Sequence, residues 1–212
     1  YLRDSIASRL AFDEAKLIWE LEFFVEHYFR SLRGEKLKRS ELAELKIELN
    51  DVAAELSERP RVLCHRDYHA ANLLIDGRDE VRVVDYQDAR MGPATYDLVS
   101  LLLDRRVVPP PPDEIAEYCF LFNEERARRD LSRIDEDEFA AEYALMTVQR
   151  CLKAVGTFSN QTANFGRGAA YARFINPMLL IVFQAAETLR RFPALRRMIE
   201  ARIVEEPSSP AS

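Results

Sequence analysis

The sequence is poor in glycine and cysteine. Its six glycines form neither a G-x-G-x-x-G pattern nor a Walker-type loop, so the 212 residues contain no glycine-rich segment of the kind that cradles nucleotide phosphates. The three cysteines, Cys64, Cys119 and Cys151, are scattered and lie outside any metal-ligand spacing. Three scattered cysteines of this kind are typical of reduced thiols, for which we expect a cytoplasmic location.

Other absences narrow the class of protein further. No apolar run approaches membrane-spanning length, and no signal peptide is visible, so we expect no membrane partner. The net charge of −6 argues against a general nucleic-acid surface. With 48% hydrophobic residues the chain can bury a lobe-sized core, so we predict one domain over residues 1–204. Residues 205–212 have the composition of a flexible tail.

Apolar residues recur at three- and four-residue steps through most of the chain, which predicts a mainly helical fold. The predicted helices run from Leu17 to Leu32 with an end near Gly34, from Ser40 to Pro60, from Thr95 to Asp104, from Asp113 onward, from a cap at Asp135 towards Gly156, from an Asn176-Pro177 start through Leu189, and from Phe192-Pro193 onward. The four prolines at 109–112 predict a stiff extended linker.

Short apolar runs interrupt this helical pattern. Residues 61–65 follow Pro60 and are predicted to form a buried strand that leads into a polar loop. Residues 73–76 and 81–84 flank a turn at Gly77 and predict a β-hairpin, whose ends return to the same place. The predicted fold class is therefore mainly α with a small β-hairpin (α+β).

The loop and the hairpin carry a pattern of polar residues. The loop reads H-R-D-x-x-x-x-N from His65 to Asn72, and Asp85 follows the second hairpin strand. In the kinase arrangement the first aspartate accepts the proton of the substrate hydroxyl, while the asparagine and the second aspartate hold magnesium against the nucleotide phosphates. Magnesium takes hard oxygen ligands and keeps several waters, so one carboxylate and one amide suffice. The pattern predicts Asp67 as the base, Asn72 and Asp85 as magnesium ligands, and ATP and magnesium as cofactors.

Each residue of the pattern also has a simpler explanation. An aspartate on a polar loop is usually a turn or cap residue, and an isolated His-Arg-Asp triplet carries little information. The complete spacing, followed by a hairpin and a further aspartate, favours phosphoryl transfer. We expect His65 and Arg66 to support the loop structurally and to take no part in the chemistry.

The loop and hairpin resemble the aminoglycoside phosphotransferase and choline kinase superfamily, whose members are relatives of protein kinases that phosphorylate small molecules. Residues 85–102, D-Y-Q-D-A-R-M-G-P-A-T-Y-D-L-V-S-L-L, are most similar to bacterial cell-wall amino-sugar kinases, which act on N-acetylmuramate and N-acetylglucosamine. Residues 19–24 and 156–158 are weaker matches. The resemblance implies direct in-line transfer from ATP to a sugar hydroxyl.

The resemblance also implies a missing part. A kinase-like enzyme needs a smaller lobe with a glycine-rich loop, a strand lysine and a helix glutamate, and none of these is visible here. The chain is therefore expected to be a protein-kinase-like C-terminal lobe that begins near the hinge, with the N-terminal nucleotide lobe absent. Its expected partners are that lobe of the same polypeptide and a small-molecule acceptor, and we expect the isolated chain to be nearly inactive.

Further site residues follow from the same resemblance. Asp97 matches the family aspartate that braces the catalytic loop, although a helix N-terminal carboxylate favoured by the dipole explains it equally well. Acceptors in this superfamily bind near the base, which makes Glu20, Tyr68, Gln87, Asp88 and Arg150 candidates, Asp88 above all. Trp19 and Phe24 could form a sugar platform, but aromatic residues on a helix are more often core.

The sequence departs from the protein-kinase pattern at two points. Gln87 stands where a protein kinase has the glycine of its magnesium-binding triplet, and no Ala-Pro-Glu segment follows, so switching by loop phosphorylation is not expected.

Two alternatives to an amino-sugar kinase stay open. The acceptor could be an aminoglycoside, choline or homoserine. A non-catalytic pseudokinase that only binds its ligand is the other alternative, against which the retention of Asp67, Asn72 and Asp85 argues.

Overall fold

A computed structural model describes residues 4–105, 108–166 and 168–203. The predicted tail at 205–212 and the residues at the predicted hinge, 1–3, lie outside this part. The helices are α1 (Ile6–Arg9), α2 (Glu14–Phe24), a π-helix (Val25–Leu32), α3 (Arg39–Glu58), α4 (Tyr96–Leu102), α5 (Pro112–Ala127), α6 (Glu136–Asn164), α7 (Gly168–Tyr171), α8 (Ile175–Thr188) and α9 (Pro193–Ile203), with short 3₁₀ turns at Ala70–Asn72 and Ala172–Phe174. The strands are β1 (Arg61–Cys64), β2 (Leu73–Ile75), β3 (Val81–Val83) and β4 (Arg90–Pro93).

The prediction of a mainly α fold with a small β-hairpin is confirmed. Strands β2 and β3 form the predicted antiparallel hairpin, with Leu73 opposite Val83 and Ile75 opposite Val81. No helix in the described ranges has both the length and the apolar character that a membrane span requires.

Strand β4 was not predicted, because a glycine and a proline at 92 and 93 remove the usual strand signal. It pairs antiparallel with β1, and Cys64 lies opposite Arg90. The prediction that β1 is buried is wrong for most of the strand, since Leu63 is 56% exposed while Cys64 is 1% exposed. In a two-stranded sheet alternate residues face out, so an apolar run does not guarantee burial.

The chain divides into two compact units. Among the described residues, the first unit comprises 4–17 and 54–146, and the second comprises 18–53 and 147–203. In the first unit, the rings of Phe12 and Tyr96 stack with their centroids 4.2 Å apart. Gly92 lies against this pair, because a Cβ at that position would come within 2.6 Å of the Phe12 ring. The first unit therefore builds its core around the start of α4.

The second unit packs helix against helix. Phe24 on α2 and Leu45 on α3 are completely buried, as is Leu179 on α8. Glu48 of α3 accepts backbone N–H bonds from Ala194 and Leu195, both at 2.8 Å, and so satisfies the N-terminus of α9.

Several helix limits agree with the sequence and two do not. The Asp135 carboxylate accepts the N–H groups of Asp137 and Glu138, as expected of the cap of α6. The first long helix ends at Leu32, two residues before Gly34, which has φ +64°. Helix α6, however, runs past Gly156 to Asn164. Helix α8 begins at Ile175, directly after a 3₁₀ turn, so the prediction of an Asn176 cap is wrong.

Gly156 continues the helix because it serves packing. A Cβ there would lie 2.8 Å from the Phe24 Cα and 3.0 Å from its backbone nitrogen, so α2 and α6 touch through their backbones at this point. A methyl group could fit only if backbone moved.

We predict that Gly156→Ala destabilises the protein. Helix propensity alone favours alanine by about 1 kcal/mol, but overpacking against the Phe24 backbone costs about 1–3 kcal/mol. Urea unfolding should show a net loss. Gly77→Ala is the matched control, because a Cβ there meets nothing within 4 Å, and a shift of less than about 0.5 kcal/mol is expected. Equal stability of the two variants would contradict the packing argument.

Candidate active site

The H-R-D loop is held from behind by one carboxylate. Asp97, in the first turn of α4, accepts the backbone N–H of His65 at Oδ2 (2.6 Å) and that of Arg66 at Oδ1 (2.9 Å). Arg66 has φ +82°, a conformation that non-glycine residues adopt only where surrounding contacts impose it. The two hydrogen bonds supply such contacts immediately before Asp67.

The start of α4 is itself anchored. The backbone N–H and the hydroxyl of Thr95 both donate to Glu142 Oε1 on α6, at 3.2 and 2.9 Å. Both residues are buried, and a buried carboxylate is tolerated where hydrogen bonds compensate for its lost hydration. Glu142 was not predicted from the sequence, although its position on α6 marks it as unusual. It falls between Phe139 and Met146 on the apolar stripe of α6, where a charged residue is unusual.

Asn72 and Asp85 lie at the same end of the hairpin. The Asn72 amide nitrogen donates to the Asp67 carbonyl at 2.9 Å, and the Asn72 carbonyl accepts the N–H of Val84 at 3.1 Å. Asp85 comes next in the chain, with φ +68°. Its side chain is exposed and has no hydrogen bond or ion pair with any described residue. Asn72 thus contacts both the loop of Asp67 and the segment that carries Asp85.

The side chains of His65 and Arg66 reach the segment around Asp85. The His65 Nε2 lies 2.9 Å from the Val84 carbonyl oxygen. The Arg66 guanidinium pairs with the Asp88 carboxylate at 2.9 Å. The two contacts fall on opposite sides of Asp85 in the sequence, so the loop holds the segment at both ends.

The other candidate residues belong to different units. Tyr68 packs edge-on against His65 with ring centroids 5.8 Å apart, and Gln87 is exposed; like Asp88, both belong to the first unit. Glu20 and Arg150 belong to the second unit.

The exposure of three α2 residues bears on what the sequence predicts for them. Glu20 is 1% exposed and accepts a hydrogen bond from Gln149 at 2.9 Å, so it is not a surface carboxylate. Trp19 is 55% exposed, which contradicts the expectation that it is core, whereas Phe24 is completely buried.

The three cysteine thiols are buried and have raised pKa values, which makes them poor nucleophiles. Burial, followed by the nearby carboxylates of Asp97 and Glu142, raises the pKa of the Cys64 thiol well above its ordinary value. Burial also raises the pKa of Cys119 to about 11 and that of Cys151 to about 12. All three are free and buried, so Cys64 serves as packing beneath the loop.

The oxygen donors at the hairpin end fit magnesium. Within the described ranges, no three or more His, Cys, Asp or Glu side chains cluster as a metal site. One carboxylate and one amide form no such cluster, but they match a hard cation that keeps waters and binds phosphates. The amide nitrogen of Asn72 donates to the Asp67 carbonyl, so its amide oxygen is the atom that could coordinate a cation.

Comparison with known proteins identifies the family. The mainly helical fold, with its loop and hairpin, is that of a kinase-like phosphotransferase. The model of the phosphotransferase enzyme family (APH) matches residues 4–133, more than half of the chain, so the chain belongs to this family. The superfamily predicted from the sequence is thereby confirmed.

Named relatives agree with the narrower resemblance. The chain is 34% identical to the N-acetylmuramate/N-acetylglucosamine kinase of Pseudomonas aeruginosa over 149 residues, which cover 70% of this chain and 44% of the relative. It is 28% identical over 193 residues to a protein of the same name from Neisseria meningitidis, covering 89% and 57%. A third, from Caulobacter vibrioides, is 30% identical over 170 residues, covering 78% and 45%. The chain spans about half the length of the curated relatives it matches.

We predict that Asp97→Asn loosens the loop. An amide has only one accepting oxygen, so one of the two backbone donors would face an NH₂ group, at a cost of about 1–3 kcal/mol. Hydrogen exchange at the His65 and Arg66 amides should accelerate, and the free energy of unfolding should fall.

The matched control is Asp135→Asn. Asp135 also binds two backbone N–H groups, but through one oxygen, and asparagine is nearly as good an N-cap. We expect a change in unfolding free energy of less than about 0.5 kcal/mol. Equal losses in the two variants would mean that the two-oxygen geometry of Asp97 is unimportant.

Proposed function

We propose that this chain carries the catalytic residues of a small-molecule kinase that transfers the γ-phosphoryl group of ATP to a hydroxyl of an amino sugar, N-acetylmuramate or N-acetylglucosamine. The observation that carries the proposal is the junction at Asn72, which bonds the loop of Asp67 and the segment of Asp85 together. The names of the relatives support the amino sugar as acceptor.

In the proposed mechanism Asp67 orients the acceptor hydroxyl and takes its proton as the oxygen attacks. Asn72 and Asp85 would hold magnesium, which neutralises charge on the phosphates when bound. His65, Arg66 and Asp97 keep Asp67 in place. Transfer is direct and in line, so no covalent enzyme intermediate forms. Tyr68 and Gln87 remain candidate acceptor contacts because they flank these residues in the first unit.

ATP binding requires more than these residues. No glycine-rich phosphate loop occurs in the 212 residues, so we propose that an N-terminal lobe of the same polypeptide completes the nucleotide site. We also propose that the enzyme works in the cytoplasm, where its three free cysteines would stay reduced. Assays should therefore use the full-length protein.

The first test is magnesium-dependent ADP release with each amino sugar. Asp67→Asn should lower kcat by about 10²–10⁴-fold, the usual contribution of a general base, and leave nucleotide affinity nearly unchanged. An active wild type with near-normal Asp67→Asn turnover would refute the role of Asp67. An enzyme that uses only aminoglycoside, choline or homoserine would refute the amino-sugar proposal, and ligand binding without turnover would indicate a pseudokinase.

A second prediction concerns Asp85. Asp85→Ala should abolish the magnesium-dependent part of nucleotide binding, because the carboxylate ligand is lost. Calorimetric titration of ATP with and without magnesium measures this directly. Asp51→Ala, on the exposed side of α3, is the control and should bind like the wild type. Unchanged magnesium dependence in Asp85→Ala would contradict the assignment.

A further inference from the structure

The segment that carries Asp85 has little regular structure of its own. Residues 84–89 belong to no strand or helix, and all except Ala89 are exposed. The backbone of Asp85 is in the left-handed region, which a non-glycine residue adopts at an energetic cost. An exposed segment with such a conformation keeps one geometry only where other contacts impose it.

Several contacts between described residues hold this segment, among them the bond from the Val84 N–H to the Asn72 carbonyl. The His65 ring bonds the Val84 carbonyl at its start. The N–H of Ala89 bonds the Tyr86 carbonyl at 3.0 Å, which closes a turn at its end. Asp88 lies within the turn and forms an ion pair with Arg66 of the H-R-D loop at 2.9 Å. Among the described residues, no other side chain of the turn forms an ion pair with this loop.

The ion pair has an unusual setting for a surface contact. The Arg66 side chain is 19% exposed and the Asp88 side chain is 55% exposed. The Arg66 backbone is already fixed by its bond to Asp97, so less conformational entropy is lost when its guanidinium pairs. An ion pair between two exposed side chains is weakened by solvent and salt, whereas a pair with one largely buried, preordered partner is less screened.

We propose that the Arg66–Asp88 ion pair is a strap that holds the Asp85 segment against the catalytic loop. Asp88 is then a positioning residue and not an acceptor ligand, in contrast to the expectation from sequence. The inference rests on the proposed function of the loop. In activation loops, phosphorylation supplies the negative charge that pairs with arginine and orders the loop. Here the Asp88 side chain supplies that charge, so the segment is ordered without phosphorylation.

The test is a double-mutant cycle in the full-length protein with Arg66→Gln, Asp88→Asn and the combination. Each single variant should lower kcat or raise the magnesium concentration required about three- to tenfold, while the acceptor KM stays within about twofold. The double variant should be no worse than the poorer single variant. The exchanged pair, Arg66→Asp with Asp88→Arg, should recover part of the loss.

Two kinetic results would overturn the proposal that the Arg66–Asp88 pair is a strap. A raised acceptor KM at unchanged kcat in Asp88→Asn would make Asp88 an acceptor ligand. Additive effects of the two single variants would show that the residues act independently. Arg82→Gln is the matched control, since Arg82 pairs with Asp76 at 2.8 Å within the hairpin turn, and its kinetics should equal those of the wild type.

A readout independent of turnover separates this inference from the proposed function. Hydrogen exchange at the Ala89 amide should accelerate about three- to tenfold in Arg66→Gln and Asp88→Asn, while exchange at the Asp76 amide, which donates to the Glu80 carbonyl across the hairpin at 3.0 Å, stays the same. Unchanged exchange at Ala89 overturns the strap whatever the activity. A wild type inactive with every acceptor refutes the proposed function, but accelerated exchange would still support the strap.

Discussion

The candidate site depends on the two hydrogen bonds that the Asp97 carboxylate accepts from the backbone of His65 and Arg66. They fix the backbone of these residues, whose side chains then reach Val84 and Asp88 on either side of Asp85. One carboxylate on α4 therefore positions two segments, the loop directly and the Asp85 segment through the loop. Behind Asp97, the buried Thr95–Glu142 contact ties the start of α4 to α6, so the core of the unit supports its polar surface.

This arrangement puts few demands on the hairpin itself. Strands β2 and β3 are short, and Ile75 is 75% exposed, so the hairpin has little buried surface with which to orient the residues at its end. Hydrogen bonds to the loop perform this task, with Asn72 at the centre. Polar contacts are directional, which suits a site that must place oxygen atoms accurately.

The sequence predicted what local patterns encode. The helix cap at Asp135 and the hairpin follow from short-range chemistry, and the spacing of the H-R-D pattern indicated the family. Contacts between residues far apart in the chain were not predictable in this way. The pairing of β4 with β1 and the partnership of Thr95 with Glu142, 47 residues later, depend on packing that no local window contains. Trp19 was misjudged because a helical stripe does not show which of its aromatic residues the core leaves uncovered.

The buried thiol beneath the loop has a consequence for chemical durability. Cys64 precedes His65, yet the residue is only 1% exposed and the raised pKa of its thiol favours the protonated form. Thiolates react with oxidants and electrophiles, whereas a buried neutral thiol is inert. Two acidic residues that serve the architecture, Asp97 and Glu142, thereby also suppress the nucleophilicity of this sulfur. A residue adjacent to the loop is thus shielded from peroxide and alkylating agents chiefly by its burial, and the charges that hold the loop in place add to this protection.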